Sequence, residues 1–73
     1  MKVGIIFKKE FQDKYGTKKE FFGDEIIIRE EVINYEHMLT ISGHFEKDSD
    51  MFTNVRSYPT KSIQLLYLGG WKN

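Results

Sequence analysis

Residues Phe22–Gly43 read FGDEIIIREEVINYEHMLTISG, and the way this stretch folds decides the fold of the whole chain. Its centre carries three consecutive isoleucines, Ile26–Ile28. β-Branched side chains lose rotamer freedom in a helix and pack well on a pleated strand. Glu25–Arg29 therefore reads as a strand, with Ile26 and Ile28 on one face and Ile27 on the other. Val32–Tyr35 and Met38–Ser42 read as the two arms of a hairpin closing at Glu36-His37. In the second arm Leu39 and Ile41 alternate with Thr40 and Ser42, the period of a half-buried strand. Glu36-His37 lacks the Gly or Asn favoured where φ must be positive, so a longer turn or a bulge is expected there. A helix competes for the same residues. Ile28, Val32, Tyr35 and Leu39 fall at helical spacing, with Asp24 placed as an N-cap. The isoleucine run favours the strands.

Composition leans the same way. The 73 residues include eight isoleucines, six phenylalanines and four tyrosines but no alanine, the best helix former. Such a bias is also what AT-rich codons produce, which suits a low-GC bacterium or its phage. The length allows one domain, placed at residues 1–68, with 69–73 as a C-terminal tail. A domain this small buries only ~60% of the surface its unfolded chain exposes. Without cysteines it has neither disulfides nor thiolate zinc sites to add stability. Oligomerisation remains as a staple, and a homodimer is the expectation. No run approaches the ~20 apolar residues of a membrane span, and Val3–Phe7 is too short for a signal peptide. The sequence reads as that of a soluble, cytoplasmic protein.

Outward from the central stretch, Lys2–Lys8 reads as a first strand with Val3, Ile5 and Phe7 on one face. Lys9–Phe21 divides between a strand with a turn around Tyr15-Gly16-Thr17 and one short helix ending at Gly16. Six residues are few for a helix, so the strand is preferred. Gly43–Asp50 is a charged loop, Met51–Arg56 a short strand with Phe52 inward, and Ser57–Thr60 a turn around Pro59. Ser62–Leu68 is the last strand, with Leu66 and Leu68 on one face and Ile63, Leu65 and Tyr67 on the other. Apolar residues on both faces predict a central or barrel-closing position. Five or six short strands with regular turns predict an all-β fold, a small antiparallel meander or barrel. The Pro59 turn before an apolar final strand resembles the pattern of SH3-like or Sm-like barrels, and that resemblance implies fold alone.

The net charge of zero conceals an uneven layout: residues 1–22 carry +3, residues 23–50 carry −6, and residues 51–73 carry +3. No catalytic constellation stands out. The serines lack a nucleophile-elbow context, the glycines never form a phosphate loop, and His37 has no evident partner. An enzyme is not expected, nor a cofactor. His44, Glu46, Asp48 and Asp50 alternate as metal ligands could, but without the spacing of a calcium loop, and read as a solvated loop. Two binding surfaces remain. Glu25, Glu30, Glu31 and Glu36 would charge the outer face of the central hairpin, with Tyr67 and Trp71 as anchors for a protein partner. A small phage or mobile-element accessory protein that inhibits or adapts another protein would fit this layout. Alternatively, Lys8, Lys9, Phe11, Lys14, Tyr15, Lys18 and Lys19 interleave charge with aromatics, as grooves for single-stranded nucleic acid do. A structural homo-oligomer is the third expectation.

Overall fold

No part of Phe22–Gly43 is helical in the computed structural model, which describes residues 1–45 and 55–69. Among these residues the strands are β1 (Lys2–Phe7), β2 (Lys18–Phe22), β3 (Ile27–Ile33), β4 (Glu36–Ser42), β5 (Val55–Pro59) and β6 (Ile63–Gly69). They form two three-stranded antiparallel sheets, in the orders β2-β1-β6 and β3-β4-β5. The all-β expectation holds at this level, but among the described residues the two sheets do not join into a closed barrel. No helix among the described residues is long and apolar enough to cross a membrane.

The central hairpin is simpler than the sequence suggested. The two predicted segments before the turn merge into the single strand β3, paired with β4 from Ile27↔Ser42 to Ile33↔Glu36. The connection is Asn34-Tyr35, not Glu36-His37. Both residues have positive φ, 52° and 65°, as a two-residue hairpin turn of matching twist requires. Asn34 tolerates this region, whereas Tyr35 occupies a position that glycine normally fills.

Lys18–Phe21 belong to β2, but Lys9–Tyr15 take the helical alternative instead of the preferred strand. Lys9–Phe11 form a 3-10 turn that runs into α1 (Gln12–Tyr15), a single helical turn ended by Gly16 at φ 88°. Its stability comes from contacts, not length. Tyr15 stacks on Phe7 with ring centroids 5.1 Å apart, and the Gln12 side chain donates to the Phe7 carbonyl at 3.0 Å.

The core lies between the sheets. Val3, Ile5 and Phe7 of β1 and Phe21 of β2 meet Leu39 and Ile41 of β4 and Tyr58 of β5. β1 is the central strand of its sheet, and its successive residues Val3, Gly4 and Ile5 are all buried. Gly4 is required by close approach, because a Cβ there would fall inside the Tyr67 ring that crosses it. On the outer side of the other sheet, Thr40 is buried among polar partners. Its hydroxyl donates to Glu31 at 2.6 Å and lies 2.7 Å from the Ser57 hydroxyl.

The second half of the chain holds two corrections. Ser57–Pro59 is not a turn but part of β5, and the turn is the 3-10 segment Thr60–Ser62. The buried Ser62 hydroxyl fixes it by donating to the Pro59 carbonyl at 2.6 Å. β6, expected at a central or barrel-closing position, is an edge strand that pairs, among the described residues, with β1 alone. Its register shifts between Ile6 and Phe7, so that Leu65 opposes Ile6 but Ile63 opposes Phe7. Ile63 thereby joins Leu66 and Leu68 on the core side instead of sharing a face with Leu65 and Tyr67. The expectations for residues 46–54, including Phe52, and for the tail at 70–73 lie outside the described residues.

Candidate functional site

An edge strand exposes a row of unpaired backbone groups, and chains usually blunt such an edge with charge or proline. β6 carries neither: it reads IQLLYLG. Leu68 lies in register with the fully buried Val3, yet it is 63% exposed, and Leu65 and Leu66 are exposed as well. Leucines on both faces, read from sequence as a sign of centrality, here lie on the edge strand of the described sheet.

Beside this edge is a cleft of about 180 Å³, lined by Glu30, Leu39, Thr60, Ile63 and Leu66. Register explains the assembly. Glu30 opposes Leu39, which opposes Tyr58, so Glu30 projects from the inner, core-facing side of its sheet. Leu66 projects from the inner side of the other sheet, where it opposes Ile5. Buried Leu39 forms the floor, and Thr60 is fixed by donating to the His37 carbonyl at 3.1 Å. The Glu30 carboxylate meets no cation among the described residues.

The four glutamates proposed from sequence do not make one face. Glu31 and Glu36 project from the outer side of the β3–β4 hairpin, Glu30 from the inner side, and Glu25 lies in the connection before β3. Alternation along β3 forces this split, since Glu30 and Glu31 are adjacent. Two of them already have partners. Glu31 accepts from Thr40 and lies 3.8 Å from Arg29, while Glu36 lies 3.1 Å from Lys61.

Tyr67 is tied into the outer side of the first sheet. Its hydroxyl donates to Glu20 at 2.6 Å, and the Lys2 ammonium lies 5.8 Å from its ring centre. The Tyr67 hydrogen bond, reinforced by the Lys18 and Lys2 charges, holds the Glu20 carboxyl below its ordinary pKa against a smaller opposing effect of burial. Trp71, the other proposed anchor, lies outside the described residues.

The lysine–aromatic third is brought together only in part. Phe11, Tyr15, Phe7 and Tyr58 pack on one another, with Phe11 and Tyr15 centroids 6.5 Å apart and Tyr15 and Tyr58 5.6 Å apart. Phe7 and Tyr58 are buried in this packing, whereas Phe11 and Tyr15 are half-buried. Lys9, Lys14 and Lys18 are exposed, but Lys18 and Lys19 project from opposite sides of β2, and Lys18 lies 4.0 Å from Glu20. Lys8 anchors the chain through its backbone, donating to the Ser62 carbonyl at 2.8 Å. His37 and His44 are both exposed, and Glu46, Asp48 and Asp50 lie outside the described residues. Among the described residues no group of three His, Cys, Asp or Glu side chains could hold a metal ion.

Sequence reasoning missed Leu65, Leu66, Leu68 and Thr60 as surface residues, along with Tyr35 at the hairpin tip. The one signal available was the double-sided leucine pattern, and it pointed inward. No protein-family model matches the chain, and neither a curated protein nor a solved structure matches it at a significant level.

Proposed function

We propose that the protein is a non-enzymatic protein-binding module that docks an extended segment of its partner along β6. The observation that carries this reading is the edge strand itself, which carries no charge or proline, with Leu65, Leu66 and Leu68 exposed around it. An added strand would gain affinity from main-chain hydrogen bonds, and alternate side chains would supply specificity. Exposed Val32, on the same side of β3 as Glu30, adds apolar surface on the neighbouring hairpin. The acidic contribution narrows to Glu30, since Glu31 and Glu36 have partners of their own.

In this reading the two sheets are the halves of a small SH3-like barrel. Support comes from the chain crossing between sheets twice, after β2 and through the 3-10 turn before β6, with a Gly23↔Phe45 bridge at one corner. A phage or mobile-element accessory protein, working in the host cytoplasm, is the setting that suits the size and codon-biased composition.

Selection from a random peptide display library on the immobilised protein tests the function. Enriched peptides should bind the wild type at least tenfold more tightly than a Leu66→Lys/Leu68→Lys variant. Peptides that bind both proteins equally would contradict docking along β6.

A further inference from the structure

Resting on that reading, we infer that the cleft beside β6 receives an arginine side chain from the docked segment, with its guanidinium on Glu30. At about 180 Å³ the cleft is smaller than the ~300–1,000 Å³ of pockets that hold metabolites or cofactors, and it suits a single side chain.

Its chemistry selects which one. Leu39, Ile63 and Leu66 offer an apolar wall, and Glu30 sets beside them one carboxylate that meets no cation among the described residues. A purely apolar occupant would strip water from that carboxylate without replacing its hydrogen bonds, which is costly. An acidic occupant would be repelled. A long cationic side chain meets both demands, with its methylene stem on the leucines and its charge on the carboxylate. Arginine is favoured over lysine because its planar fork engages a carboxylate bidentately and is less strongly hydrated. The Thr60 hydroxyl donates to the His37 carbonyl and keeps acceptor capacity, so a second guanidinium N–H has a partner at the cleft wall.

Strand geometry adds a sequence rule. A segment paired with the outer edge of β6 directs the residue opposite Leu66 to the same side as Leu66, towards Glu30. Residues two positions apart share a face, so the next inward position lies opposite exposed Leu68 and calls for an apolar residue. The recognised pattern is an arginine and an apolar residue separated by one position, in an extended segment.

The test uses two probes on the full chain, the capped pentapeptide Val-Ser-Arg-Ser-Val, which sets an apolar residue two positions from the arginine in either strand direction, and its citrulline counterpart, which keeps the shape and loses the charge. Amide shifts are followed by ¹⁵N–¹H correlation spectra. The arginine probe should produce saturable shifts at Glu30, Leu39, Thr60, Ile63 and Leu66. The citrulline probe should bind at least fivefold more weakly, and Glu30→Gln should reduce the arginine probe to the same level while preserving the spectrum elsewhere. Equal binding of both probes along β6 would overturn the arginine assignment and leave strand docking standing. Shifts confined to other carboxylates, with β6 silent, would overturn both.

Discussion

Three residues are held in positions that the rest of the chain must justify. Tyr35 sits at positive φ in the hairpin turn and is fully exposed, so nothing in the described fold repays its conformation. Left-handed backbone costs an ordinary residue ~1–2 kcal/mol, and glycine's greater freedom when unfolded returns ~0.5–1 kcal/mol of that. Tyr35→Gly should therefore stabilise the protein by roughly 0.5–1 kcal/mol, read as a higher urea midpoint at unchanged slope. Gly4 faces the opposite constraint. Gly4→Ala should cost about 1–3 kcal/mol by overpacking against the Tyr67 ring, and much less in a Tyr67→Ser background. Glu20 brings pH into the account. Its folded pKa lies below the ordinary value, so its contribution is present above about pH 4.3 and fades as pH falls through the folded value. Thermal melts should show wild type above Glu20→Gln at neutral pH, with the two converging as pH falls through the lowered folded value.

At the scale of elements, strands and their alternation were legible, while neighbours in space were not. β1 and β4 were readable because their inward residues alternate cleanly: Val3, Ile5 and Phe7 in one, Leu39 and Ile41 in the other. The helical turn at Gln12–Tyr15 was misjudged because its support is the ring of Phe7, a tertiary contact that local spacing does not contain. The Asn34-Tyr35 turn was hidden by Tyr35, the wrong residue type for its φ. β6 was misplaced for a deeper reason. Apolar residues on both faces state that a strand needs covering, and they do not state what covers it. That ambiguity is the basis of the proposed site, and it separates two kinds of leucine substitution. Leu68→Lys should change stability by no more than about 0.5 kcal/mol, as exposed positions do. Leu39→Ala, at the buried floor of the cleft, should cost about 2–5 kcal/mol. Urea denaturation of both variants distinguishes an open edge from a covered one.

For the whole molecule the issue is whether β6 has a second neighbour in solution. A closed barrel, a homodimer joined β6 to β6, and an open edge awaiting a partner make different predictions for the same seven residues. Amide hydrogen exchange along β6, measured by NMR in dilute solution, separates them. The account predicts alternation: slow exchange at the amides bonded to β1, fast exchange at those facing outward, and the same pattern on further dilution. Uniform protection from Ile63 to Gly69 would contradict it, because every backbone group of β6 would then be paired and no edge would remain to dock a partner.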